Sequence, residues 1–73
     1  MIDIDFVTSV NETYFGSVIV KYDSGKIKMY DAYELTESWF RMSNDAFYEY
    51  YGFNYIPSIK MQRWYRKKYF GEW

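Results

Sequence analysis

Residues 18–30 read VIVKYDSGKIKMY, and this stretch decides the fold of the chain. The β-branched and aromatic residues on both sides of Asp23-Ser24-Gly25 favour extended strands. Gly25 can adopt the left-handed backbone conformation that closes a type I turn followed by a bulge. The stretch therefore predicts a β-hairpin with strands at 14–22 and 27–33.

A third strand is predicted on the N-terminal side of this hairpin. Apolar and acidic residues alternate from Ile2 to Phe6, which is the period of a half-buried strand, and the same face continues to Val10. Residues 11–13 then predict a short turn, and Gly16 a bulge in the strand that follows. The first half of the chain thus predicts a three-stranded antiparallel meander over about residues 2–33.

The second half of the chain predicts short helices. Thr36 is a good N-cap for a helix over residues 37–42, and Ser43 caps a second helix that Gly52 ends. A sheet followed by helices predicts an α+β fold, with two or three helices packed on one face. We therefore expect one domain over residues 1–73: a β-meander at 1–33, short helices at 36–52 and a C-terminal helix at 58–70.

The C-terminal helix is predicted to be basic and amphipathic. It begins at Pro57 or Ser58 and ends before Gly71. Residues 58–73 carry five basic and one acidic side chain, against four basic and nine acidic in residues 1–57. At 100° per residue, the cations that fall on the arc opposite the aromatic residues are Lys60, Arg63, Arg66 and Lys67. Lys68 falls inside the apolar arc and has to snorkel.

Aromatic residues dominate the composition, with ten Tyr, six Phe and three Trp, whereas His and Cys are absent. The two missing side chains are the ones used most for nucleophilic, acid–base and transition-metal chemistry. We therefore expect no enzyme activity, no catalytic residue, no metal site and no cofactor. Large rings replace the missing disulfides and zinc as the source of stability. The rings predicted to hold the fold are Phe6, Trp39, Phe40, Phe47, Tyr51 and Trp64.

A domain this small cannot bury all of its rings, so the remainder predicts an interaction surface. Tyr and Trp give a large contact area at low entropic cost and, with Arg, are enriched at binding hot spots. The residues predicted to contact a partner are Tyr48, Tyr50, Tyr55, Arg63, Arg66 and Lys67.

The chain combines four general features: short length, many aromatic residues, no Cys and no catalytic motif. In these respects the chain resembles the small stand-alone accessory proteins encoded by phages and mobile elements. The resemblance implies a non-enzymatic inhibitor or adaptor whose partner is a larger host or defence protein, such as a host enzyme or a defence nuclease. Two alternatives remain open: a nucleic-acid-binding module that uses the basic helix, and a homo-oligomer whose aromatic residues bury each other.

The sequence also bears on location. Absence of Cys fits a reducing compartment, and Met1 to Asp5 has neither the basic nor the apolar region of a signal peptide. Because the longest strongly apolar stretch, Val18 to Val20, is too short to cross a bilayer, we expect a soluble cytoplasmic protein without a membrane partner.

Overall fold

The computed structural model describes residues 4–71, so the predicted start of the meander at residue 2 lies outside the described residues. Three strands precede three helices: β1 (Val7–Glu12), β2 (Ser17–Tyr22), β3 (Ile27–Asp31), α1 (Ala32–Arg41), α2 (Asn44–Tyr51) and α3 (Ile59–Phe70). The strands form one antiparallel sheet in the order β1-β2-β3. The predicted α+β fold with a three-stranded meander is confirmed.

The β2–β3 hairpin forms at the predicted turn. Tyr22 donates its amide to the Lys26 carbonyl at 2.9 Å, and Gly25 donates to the Tyr22 carbonyl at 3.0 Å. Gly25 has a φ of +93°, which an L-residue adopts only with strain. The glycine therefore fixes where the hairpin reverses.

The first reversal lies later than predicted. Residues 11 and 12, expected in a turn, continue β1 and pair with Ile19 and Val18. The turn instead spans Thr13 to Gly16, with the Gly16 amide donating to the Thr13 carbonyl at 3.3 Å and a φ of +84° at Gly16. Gly16 supplies the positive φ that this turn needs, so it is not a strand bulge; the irregularity in the pairing lies between Val7 and Ser9.

The first helix begins five residues earlier than predicted, at Ala32 instead of residue 37. Asp31, the last residue of β3, is the N-cap, and its carboxylate accepts the Tyr33 amide at 2.9 Å. Thr36 instead lies inside α1, fully buried, where its hydroxyl donates to the Ala32 carbonyl at 2.7 Å. Both residue types cap helices well, but a start at Asp31 lets Ala32, Leu35 and Thr36 share one buried face.

The other two helices have the predicted ends. Ser43 caps α2 by accepting the Ala46 amide at 3.2 Å, and Ser58 caps α3 by accepting the Met61 amide at 3.3 Å. Gly52 and Gly71 end these helices with φ values of +84° and +67°. Local capping chemistry thus sets both helices.

All three helices cover the same face of the sheet. Val18 and Val20, on the covered face of β2, are completely buried, and the core also contains Ala32, Leu35, Phe47, Phe53, Tyr55 and Met61. Of the rings predicted to hold the fold, Phe47 is fully buried, and half-buried positions are taken by Trp39, Phe40, Tyr51 and Trp64. The prediction for Phe6 is wrong, because it precedes β1 and is 64% exposed.

Candidate functional site

The face of the sheet turned away from the helices carries exposed apolar side chains. Ile19 pairs with Met29 and Lys21 pairs with Ile27, and residues opposite each other in an antiparallel ladder point to the same side. Ile27 is 60% exposed and Met29 is 69% exposed. We call this surface, made of Ile19, Lys21, Ile27, Met29 and Asp31, the open face.

An aromatic turn borders the open face. Phe15, in the turn between β1 and β2, is 90% exposed. It shares a shallow concavity of about 420 Å³ with Met29 and Tyr33. The neighbouring Tyr14 is held by α3, because the Lys60 ammonium lies 4.9 Å from its ring centre and 3.4 Å from its carbonyl oxygen. An exposed ring thus lies next to the apolar centre of the sheet, on a turn that α3 anchors.

Two of the predicted contact tyrosines are exposed on α2. Tyr48 is 54% exposed and Tyr50 is 73% exposed. Tyr50 rests on the ring of Tyr51, with centres 4.8 Å apart, while Tyr48 lines a groove of about 440 Å³ with Phe6 and Val10. Both hydroxyl-bearing rings are accessible, and their role in binding a partner stays a prediction.

The third predicted contact tyrosine is a core residue. Tyr55 is only 6% exposed, and its hydroxyl donates to the Glu12 carboxylate at 2.6 Å. The burial of its ring argues against the predicted contact of Tyr55 with a partner. Its acceptor lies at the end of β1, in residues that the sequence assigned to a turn.

Glu12 joins the sheet to the start of α3. Its carboxylate also accepts the Ser58 amide at 3.2 Å and the Ser58 hydroxyl at 2.5 Å. Burial alone raises the pKa of Glu12, but the hydrogen bonds from Ser58 and Tyr55 outweigh it, so the pKa lies below its usual value. Burial, with the hydrogen bond to Glu12 second, strongly raises the pKa of Tyr55. The carboxylate is ionised and the phenol neutral, an arrangement that stabilises the fold and leaves neither group for acid–base chemistry near neutral pH.

The predicted cationic face of α3 is divided between structural and available charges. Arg63 and Arg66 are exposed, and neither makes a hydrogen bond or ion pair with another residue in the range 4–71. Lys67 is exposed beside them, whereas Lys60 is held against Tyr14. Among the cations of α3, Arg63 and Arg66 are therefore the ones available to meet an anion.

Lys68 snorkels as expected from its place in the apolar arc. Its ammonium lies 5.1 Å from the Trp64 ring centre and 3.2 Å from a carboxylate oxygen of Glu37. The hydrogen bond from Lys68 lowers the pKa of Glu37. This pair joins α3 to α1 and is a structural contact.

The predicted tyrosines and cations do not form one surface. Helix α1 lies between the helices that carry them: Ser38 contacts Tyr51 of α2 at 2.8 Å between hydroxyl oxygens, and Phe40 stacks on Tyr65 of α3 with ring centres 4.1 Å apart. A single flat partner could not bury both sets without also covering α1. The residues that sequence reasoning missed are Phe15, Ile27 and Met29.

Within residues 4–71, no group of three or more acidic side chains is placed to hold a metal ion. The same part of the chain has no helix with the length and apolar character needed to cross a membrane. Comparisons of the chain with protein-family models, with curated proteins and with solved structures found no match.

Proposed function

We propose that the chain is a non-enzymatic protein-binding module, an inhibitor or adaptor, that docks a larger protein on its open face. The observation that carries this proposal is the exposure of Ile27, Met29 and Phe15 on and beside a sheet face that no helix covers. An antiparallel sheet with one covered face ordinarily has a polar second face, because that face meets water.

The exposed side chains are too close together to be isolated surface residues. Ile19, half-buried between its neighbours, pairs with Met29, and Ile27 lies two residues from Met29 on the same side of β3. Phe15 extends this apolar surface through the shared concavity. Contiguous exposed apolar surface with a polar border is characteristic of protein interaction sites.

Charges at the two ends of the open face define the chemistry of the partner. Lys21 lies at the end near Ile27, and Asp31 lies beside Ser17 at the other end of the sheet. A matching partner presents an apolar patch with an acidic group at one end and a basic group at the other. Such charges orient the partner, while the apolar centre supplies most of the affinity.

The test compares two double variants of the exposed surface. Partners are captured from an extract of cells that naturally express the chain, and the affinity of a captured protein is then measured by calorimetry. Ile27→Thr/Met29→Thr should weaken binding about tenfold or more, because it removes apolar contact area while threonine keeps the strand propensity. Tyr48→Ala/Tyr50→Ala, on α2, is the matched control and should change affinity little.

The control also decides between surfaces. If the α2 variant loses the partner and the open-face variant keeps it, the predicted tyrosines form the docking surface and the open face does not. Because all four replaced side chains are more than half exposed, both variants should remain folded, which thermal unfolding checks.

A second candidate, nucleic-acid binding, is favoured by one observation: Arg63 and Arg66 are exposed and unpaired among the described residues. Phosphate contacts would give an affinity that falls steeply with salt, by a log–log slope of about 0.9 per contact on duplex DNA. Arg63→Gln/Arg66→Gln should then reduce that slope by nearly two. Binding that is insensitive to salt, or a slope unchanged in the variant, contradicts this candidate.

A further inference from the structure

Strand β3 is an edge of the sheet whose outward backbone groups can be identified. Ala32 donates its amide to the Gly16 carbonyl at 2.9 Å, and Tyr22 donates to the Lys26 carbonyl at 2.9 Å. Hydrogen-bonded pairs alternate along an antiparallel ladder, so the even-numbered residues of β3 bond to β2. The amides and carbonyls of Ile27 and Met29 therefore point away from the sheet, as does the amide of Asp31, whose carbonyl belongs to the first turn of α1.

This edge is open at Ile27 and Met29. No hydrogen bond from elsewhere in residues 4–71, whether from backbone or side chain, reaches the outward groups of Ile27 or Met29. Natural proteins commonly protect such an edge with proline, a bulge or a covering segment. The described part of β3 has no proline and no bulge; its only protective features are its short length and Lys28, and its pairing with β2 is regular from Ile27 to Asp31.

We propose that a second copy of this chain pairs with β3 in antiparallel orientation, centred on Met29, to form a continuous six-stranded sheet. This inference goes beyond the proposed function and does not depend on it. The interface uses backbone groups at the edge, whereas the proposed partner uses side chains on the open face.

Side-chain chemistry selects the register. Centring on Met29 pairs all five residues of the strand and places Lys28 opposite Tyr30 of the second copy, a favourable cation–aromatic pair. Centring on Lys28 places two lysines opposite each other, which is destabilising, and overlaps fewer residues. Centring on Tyr30 also shortens the overlap. The Met29 register is therefore the most complementary.

Charge along the strand favours the same antiparallel arrangement. Lys26 and Lys28 lie at the start of β3, and Asp31 and Glu34 lie at its end. An antiparallel copy places each basic start beside the acidic end of the other chain, whereas a parallel copy would place like charges together. Pairing also joins the two open faces, with Met29 of each copy at the centre, and so doubles the apolar surface.

Cysteine cross-linking tests both the dimer and its register, because the chain has no native Cys. In the proposed register the two Met29 Cα atoms lie about 5.5 Å apart, within the range of about 4.4–6.8 Å that a disulfide spans. Met29→Cys should form a covalent dimer under mild oxidation. Ile27→Cys is the matched control, since it lies on the same face with similar exposure but its symmetry mate is about 14 Å away, too far for a disulfide.

Sedimentation velocity over a range of concentrations supplies the second arm. The wild type and Met29→Thr, which keeps the outward amide, should both dimerise. Met29→Pro removes that amide, which the pairing with β2 does not use. This variant should remain folded by circular dichroism and should sediment as a monomer. A wild type that is monomeric at every concentration, or equal cross-linking of Met29→Cys and Ile27→Cys, overturns the proposal.

The two proposals can fail separately. Loss of the captured partner in Ile27→Thr/Met29→Thr with dimerisation retained supports both. If the wild type is monomeric and Ile27→Thr/Met29→Thr loses the partner, the pairing of two copies is overturned and the docking of a partner on the open face is supported. A wild-type monomer that loses the partner in Met29→Pro but keeps it in Met29→Thr, which retains the amide, would mean that a strand of another protein, and not a second copy, pairs with this edge.

Discussion

Glu12 is the residue whose replacement should reveal most about how this small domain holds together. Its carboxylate accepts three hydrogen bonds, one from Tyr55 and two from Ser58, across 43 and 46 residues of sequence. Glu12→Ala removes all three. The replacement thus removes the hydrogen bonds that join the end of β1 to the start of α3, two segments that are far apart in sequence.

The expected loss follows from what becomes unpaired. A buried donor left without an acceptor costs about 1–3 kcal/mol, and the Tyr55 hydroxyl belongs to a residue that is 6% exposed. Ser58 is half-buried, so water compensates in part for its two lost bonds. We expect Glu12→Ala to lower the free energy of unfolding by about 2–4 kcal/mol. A domain of this size has roughly 4–11 kcal/mol in total, so the loss should be easily measured.

Urea unfolding followed by tryptophan fluorescence gives the free energies. Asp5→Ala is the matched control: the Asp5 carboxylate likewise accepts the amide and hydroxyl of one serine, Ser24, but in full exposure. It should destabilise much less. Tyr55→Phe removes the buried donor, so adding Glu12→Ala to it should cost less than Glu12→Ala alone costs the wild type. Equal effects of Glu12→Ala and Asp5→Ala, or full additivity with Tyr55→Phe, would mean that the buried Tyr55 hydroxyl does not depend on Glu12.

Further predictions concern pH, a turn and the core. Because the pKa of Glu12 is lowered in the folded state, the advantage of wild type over Glu12→Gln in unfolding free energy should be complete above about pH 5 and shrink as the pH falls through the folded pKa; a pH-independent difference contradicts this. Gly16→Ala should lower the melting temperature more than Gly25→Ala, because both have positive φ but only at Gly16 does an added Cβ meet the Tyr33 ring, at 2.7 Å; equal shifts would argue against that close contact. Phe53→Ala, which empties a fully buried position, should cost about 3–5 kcal/mol by urea unfolding; a loss near 1 kcal/mol would mean that Phe53 is not in the core.

Elements with strong local signals were predictable. The β2–β3 hairpin and the ends of α2 and α3 each depend on a glycine or serine whose preference acts within a few residues. The start of α1 was not predictable in this way, since Asp31 and Thr36 are both good caps. The choice between them depends on which helical face reaches the core, and that is a property of the folded chain.

The candidate site was less accessible to sequence reasoning. Along β3, Ile27 and Met29 alternate with Lys28 and Tyr30, so both faces of the strand are partly apolar and alternation cannot say which face the helices cover. The exposure of Tyr48 and Tyr50 was predictable from the crowding of rings on a short helix. Tyr55 was not, because its partner Glu12 is distant in sequence and was assigned to a turn.

Docking of a partner on the open face is tested most sharply by the oxidation of Met29 by dilute peroxide in the free chain and in the complex. Met29 is 69% exposed and Met61 is 1% exposed, so in the free chain Met29 should oxidise readily while Met61 serves as a protected internal reference. The captured partner should slow oxidation of Met29 strongly and leave the Met61 rate unchanged. An unchanged Met29 rate in a saturated complex would contradict it.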